Sequence, residues 1–270
     1  MDYEQIEVTT DGAVATLTLN RPDRMNAWTK QMSNELTHAI EAINDDPQLG
    51  AIIVTGAGRG FCAGADIEQG FKARLDGEDP EAEGPPATNW VRLVRESKPM
   101  IAAVNGAAVG IGVTLMLPMD VIVASEQAKF GLAFVKMGLV PELASSHFLV
   151  QRVGFGAANE MCLTGSLYPA ARAHELRLVD HLVAHDDLMD KARELAEAMA
   201  ANPSTQARWI KQLLTENGSE TSVEAAMVRE GEMLQRAFKS PEHQEAVAAF
   251  LEKRPPDFNR ANSQANSQGG

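Results

Sequence analysis

The sequence predicts an α/β fold, and three observations predict it. Short apolar runs of strand length stand at 52–54, 100–104 and 121–123. The first two run straight into glycine-rich turns, at 55–60 and 105–112. Helical patterns fill the intervals, and strands that alternate with helices build layered α/β architecture.

The elements follow in order. Ile6 and Val8, then Val14, Thr16 and Thr18, alternate on either side of Asp11-Gly12, which predicts two strands joined by a turn. Residues 20–24, with Pro22, form a turn. Residues 29–44 place Met32, Leu36, Ile40 and Ile43 on one helical face. The strand at 52–54 leads through the first glycine turn to residues 61–67, where Asp66 is placed to cap a helix. The strand at 100–104 leads through the second to an apolar helix over 113–119. Residues 68–87, with an acidic run at 76–83 and Pro85-Pro86, break the alternation. They are a surface excursion, either a lid or a plain loop. Helices are expected over 188–201 and 204–251, punctuated by Pro203 and Pro241. The polar stretch 259–270 has the composition of a disordered tail. This divides the chain into a core over 1–200, a helical region over 201–258 and the tail.

Composition narrows the class. The 270 residues are 44% hydrophobic, enough for a sizeable core. The net charge of -13 argues against a nucleic-acid backbone or an anionic membrane as partner. No apolar run has the length of a membrane span. Two cysteines, Cys62 and Cys162, are too few for a disulfide framework and fit a reducing compartment. With no basic-then-apolar leader pattern at the start, a cytoplasmic protein is expected.

The two glycine segments carry the chemistry. Residues 61–67 read Phe-Cys-Ala-Gly-Ala-Asp-Ile, and 105–112 read Asn-Gly-Ala-Ala-Val-Gly-Ile-Gly. Small residues let a ligand approach backbone N–H groups, and such a turn at a helix start suits developing negative charge. Each segment alone could equally be a tight turn or a close helix–strand crossing. A dinucleotide fingerprint fails, because Phe61 stands where its third glycine belongs.

Taken together with Asn20-Arg21-Pro22, Asn26-Ala27, Asp120-Val121-Ile122, Phe130-Gly131 and Leu163-Thr164-Gly165, the segments resemble the crotonase (enoyl-CoA hydratase/isomerase) superfamily over about residues 5–255. The resemblance implies a spiral of repeated ββα turns with a helical C-terminal trimerisation region, hence a homotrimer or a pair of trimers. It implies an acyl-CoA thioester substrate, with no cofactor beyond the coenzyme A that enters as part of it. By position, the Ala65 and Ile111 N–H groups would hold the thioester oxygen as an enolate forms. Each such donor contributes on the order of 3 kcal/mol. The resemblance further implies a coenzyme A surface that includes Arg24, Asn26, Ala27, Ala63, Ala65, Asp66 and Ile67. Phe250 and Lys253 would reach coenzyme A from the C-terminal end.

Departures from the pattern bear on the reaction. The family's hydratases use two glutamates; here those positions hold Thr114 and Phe134. One carboxylate does occupy a family catalytic position, Glu142 after Pro141. Δ3,Δ2-enoyl-CoA isomerases carry an acidic residue there, and epoxyphenylacetyl-CoA and related ring isomerases an aspartate. The expectation is therefore a double-bond isomerase in which Glu142 alone moves the proton, its pKa raised by an apolar wall of Phe134, Val135 and Leu143. A solvated glutamate in a first helical turn is the plainer alternative. An enoyl-CoA hydratase, a thioester hydrolase and a non-catalytic acyl-CoA-binding protein are the rivals. Ser145, Ser146 and His147 lack a nucleophile elbow, and His181 and His185 lack a third metal ligand.

Overall fold

Two sheets divide the strands, and successive turns of chain contribute one strand to each. The computed structural model describes residues 2–72 and 89–258. The expected excursion beyond Lys72 and the tail from 259 lie outside the described residues.

β1 (Ile6–Asp11) and β2 (Val14–Leu19) form the expected hairpin around Gly12, whose φ of 56° suits glycine. α1 (Lys30–Asp45) is capped by Thr29, whose hydroxyl accepts the Met32 N–H at 3.1 Å. It buries Met32, Leu36, Ile40 and Ile43, the face the periodicity marks. Glu35 on the same helix is also buried, and its carboxylate accepts the Gln5 N–H at 2.8 Å and the Ile6 N–H at 3.2 Å.

The spiral then begins. β3 (Ala51–Gly56) is followed by β4 (Gly60–Cys62), β5 (Met100–Val104) by β6 (Ala107–Val109), and β7 (Val121–Ser125) by β8 (Lys129–Gly131). The first member of each pair joins a six-stranded sheet in the order β1-β2-β3-β5-β7-β10, where β10 is His181–Val183. The second member joins a four-stranded sheet, β4-β6-β8-β9, where β9 is Leu167–Pro169. Pairing is parallel except between β1 and β2 and between β8 and β9. The central strands are buried on both faces, which is why they read as unbroken apolar runs. Ile52 and Val54 face the core that includes α1, while Ala51 and Ile53 pack under Leu188, Ala192 and Ala196 of α6 (Leu188–Ala200).

The remaining helices are α2 (Trp90–Glu96), α3 (Ile111–Thr114), α4 (Ser145–Thr164), α5 (Ala170–Glu175), α7 (Ser204–Asn217), α8 (Val223–Ala237) and α9 (Pro241–Glu252). Two expectations need correction, and one helix that the sequence did not announce is bent. The helix read over 113–119 is one turn, α3, followed by turns. The helical text at 204–251 breaks at 218–222, where Ser222 accepts the Ala225 N–H and starts a new helix. α4 is kinked at Gly154, with φ 77°.

Asp120 has the structural role its position suggests. It pairs with Arg95 at 2.7 Å and Lys211 at 2.8 Å and accepts the Met100 N–H at 2.7 Å. Lys211 also donates to the Val94 and Lys98 carbonyls, which ties α7 to the core; burial pulls its pKa down to about 8. Among the described residues no helix is long and apolar enough to cross a membrane.

Candidate active site

The glycine segments emerge from adjacent parallel strands, β4 and β6, and touch. A Cβ on Gly112 would stand 2.1 Å from the Cys62 carbonyl oxygen, and one on Gly64 3.3 Å from that of Val109. Only glycine allows the first approach. The pairing of β4 with β6 therefore brings the backbone around Ala65 close to that around Ile111.

Each of the two residues has an N–H without an acceptor among the described residues, while its neighbours are tied. Trp28 N–H donates to Gly64 at 2.8 Å and Asp66 N–H donates to Trp28 at 2.9 Å, so Ala65 sits in a single bridge. Gly110, at φ 54° and ψ -121°, donates its N–H to Gly131 at 2.8 Å and accepts from Val113 and Thr114. Ile111 follows at the start of α3, where N–H groups lack helical partners.

Polar side chains brace the first segment. Asn26 is fully buried; its Nδ2 donates to Ala57 at 2.9 Å and Gly60 at 2.8 Å, and its Oδ1 accepts the Arg21 N–H at 2.8 Å. Asp66 is buried, pairs with Arg21 at 3.0 Å and accepts the Glu68 N–H at 3.1 Å as a cap. The helix expected after it is a single wide turn, Ile67–Lys72. Arg21 also donates to the Ala27 carbonyl at 2.6 Å. The sequence assigned Arg21 no role of its own; Arg24, the basic residue expected at the coenzyme A surface, is exposed and pairs with exposed Glu68 at 3.4 Å. The side chains of Asn26 and Asp66, both expected at the coenzyme A surface, bond within the protein and hold the turn. Ala63 and Ile67 are exposed beside it and Ala27 is half-buried. Phe250 and Lys253 are exposed at the end of α9, and no described contact joins them to the two segments.

Glu142 stands before α4, outside its first turn, so the first-turn alternative fails. It is half-buried, and its Oε1 accepts the Thr114 hydroxyl at 2.6 Å. Burial raises its carboxyl pKa above the ordinary value; the Thr114 bond and its own N–H oppose this and are the smaller effects. The next two residues, Leu143 and Ala144, have φ of 57° and 53°. Left-handed backbone costs a non-glycine residue roughly 1–2 kcal/mol, a strain typical of functional sites. Phe134 is buried, its ring tip 3.9 Å from a Cβ built on Gly110, so it walls the second segment as expected. Val135 does not join that wall; it is exposed and lies against Gly165.

Rival nucleophiles find no support in the geometry. Ser145 Oγ is buried without a hydrogen-bond partner among the described residues, and Ser146 and His147 are exposed. Burial pushes the Cys62 thiol up to about 11. His181 lies in a strand and His185 beyond it, 3.0 Å from Ser125, so their spacing does not put them on one helical face.

A family model described as enoyl-CoA hydratase/isomerase matches residues 9–261. The chain belongs to that family. Within it, the chain is 38% identical to a probable enoyl-CoA hydratase of Mycobacterium bovis, over 96% of this chain and 99% of that one. It is 35% identical to a 1,2-epoxyphenylacetyl-CoA isomerase of Escherichia coli, over 91% and 94%. A solved enoyl-CoA hydratase from Polaromonas superposes with a TM-score of 0.84 at 30% identity, covering 93% of this chain and 98% of that one. The protein is thus an enzyme-family member of crotonase fold, and the relatives it resembles are mostly named hydratase, with an isomerase among them.

Proposed function

We propose that this protein is an acyl-CoA isomerase that shifts a double bond from Δ3 to Δ2, with Glu142 as the single acid and base. One observation carries the reading. The only carboxylate held at the second glycine segment by a described hydrogen bond is Glu142, on Thr114, while the two hydratase positions hold Thr114 itself and Phe134. A hydratase needs a water oriented between carboxylates, whereas a 1,3-proton shift needs one base. The thioester oxygen lies between the N–H groups of Ala65 and Ile111. Glu142 takes a proton from C2, the electron pair passes to that oxygen, and the resulting dienolate is held by two main-chain donors. The proton returns at C4 and the double bond settles between C2 and C3. Coenzyme A arrives as part of the substrate, and Arg24, Ala27, Ala63 and Ile67 form its surface.

Glu142→Gln is expected to lower isomerisation of a 3-enoyl-CoA by about 10³-fold while leaving CoA-ester binding nearly intact. Retained turnover would sink the mechanism, and rapid loss of the conjugated enoyl absorbance of crotonyl-CoA would favour a hydratase. The raised carboxyl pKa adds a sign. A carboxyl raised on folding contributes stability below its unfolded pKa, and this is lost as pH rises through the folded pKa. At pH 7 the uncharged Gln variant is therefore expected to melt no lower than the parent, a loss of activity without loss of stability.

The same reading takes the protein to be a homotrimer or a pair of trimers. α7 and α8 expose Ile210, Leu214, Met227, Val228 and Leu234, with Phe238 at the end of α8, an apolar load that supports burial in an assembly. Sedimentation as a monomer would refute it.

A further inference from the structure

We propose that Thr114 is a positioning residue that assigns the two oxygens of Glu142 to different tasks, Oε1 to the protein and Oε2 to the substrate proton. This rests on the isomerase reading above and deepens it. Thr114 is fully buried in α3, and its hydroxyl carries one hydrogen with two acceptors in range. Glu142 Oε1 is at 2.6 Å and the Ile111 carbonyl oxygen at 3.4 Å. The Ile111 carbonyl already accepts the Leu115 N–H at 2.9 Å. A short bond to an ionised acceptor is the stronger one, so the hydrogen goes to Oε1.

The consequence is chemical. A single-base isomerisation must carry one proton from C2 to C4 without losing it to water. The C2–H bond breaks and an O–H bond forms at Oε2, while the electron pair moves to the thioester oxygen. The O–H bond then breaks, the pair returns through the dienolate, and a C4–H bond forms. If the carboxyl group could rotate between these steps, the proton would be carried away from C4. With Oε1 pinned, Oε2 is the oxygen left to take the proton and must also be the one that returns it. Hydroxyl-free variants should then fail in retention of the proton as well as in rate.

The test uses Thr114→Val, which keeps the shape and removes the hydroxyl, and Thr114→Ser, which restores it. With a 3-enoyl-CoA deuterated at C2, the parent is expected to deliver most of the label to C4. Thr114→Val should wash most of it into solvent, lower kcat about 10-fold or more with KM little changed, and move the acid limb of the kcat/KM profile to higher pH, because the Thr114 bond lowers the Glu142 pKa. Thr114→Ser should recover the bulk of rate and label. A Thr114→Val enzyme with parental label transfer and parental pH profile would overturn the assignment, as would a Thr114→Ser enzyme no better than the valine. An NMR titration of the Glu142 carboxyl in the free protein separates the two claims. A pKa that does not rise in Thr114→Val contradicts the pairing. A pKa that rises in a protein that leaves 3-enoyl-CoA unchanged supports the pairing and removes the isomerase reading.

Discussion

The two glycine segments are held in place by opposite means. The first, leading to Ala65, is braced by polar side chains: Asn26 on the carbonyls of Ala57 and Gly60, and Asp66 on Arg21. The second, leading to Ile111, is braced by the absence of side chains: Gly110 takes a left-handed turn and Gly112 lies against the Cys62 carbonyl. One segment is therefore broken by deleting hydrogen bonds and the other by adding a methyl group. Under the proposed mechanism the two N–H donors belong to different spiral turns, so both kinds of support are needed to keep them aligned.

The largest effect is expected in the second segment. Gly112→Ala puts a Cβ 2.1 Å from a backbone oxygen, so the two turns must part. A cost of about 3 kcal/mol follows, with a fall in Tm of roughly 5–10 °C and activity lost along with it. A melting curve like the parent's would show that the segments are not held by that contact. Asn26→Ala comes next. It strands two carbonyls and one N–H around the first segment, at a cost of about 2–3 kcal/mol, and should lower kcat more than it raises KM. If KM alone changed, Asn26 would be a ligand contact after all. Arg24→Ala is the mildest. Its ion pair with Glu68 is exposed, so stability should move by less than about 0.5 kcal/mol. A rise in KM for the CoA ester, larger at low salt, would support a phosphate contact there; no change at low salt would remove Arg24 from the substrate surface.

Much of this was legible before the structure. The strands at 52–54, 100–104 and 121–123 read correctly because burial on both faces leaves no polar interruption. The glycine segments read as partners because each ends a parallel strand, and parallel neighbours bring equivalent turns together. Asp66 read correctly as a cap because capping is local. What was not legible depends on contact between distant residues. Thr114 and Glu142 are brought together by α3 and the loop after β8, and no spacing announces a hydrogen bond between them. The bracing role of Arg21 was not legible because Arg21 and Arg24 sit in one turn and only the fold decides which guanidinium points inward. Leu143 and Ala144 carry no glycine signal for their left-handed backbone, and the break at 218–222 had only Gly218 and Ser222 to mark it.

In the proposed mechanism charge develops on a thioester oxygen held between Ala65 and Ile111 while Glu142 moves the proton. The most direct measurement is a crystal structure with an unreactive acyl-CoA analogue. The carbonyl oxygen is expected about 2.7–3.1 Å from both N–H groups, with C2 and C4 in reach of Glu142 Oε2. A carbonyl oxygen bound away from those donors, or an acyl chain that keeps C2 and C4 out of reach of Glu142, would contradict it.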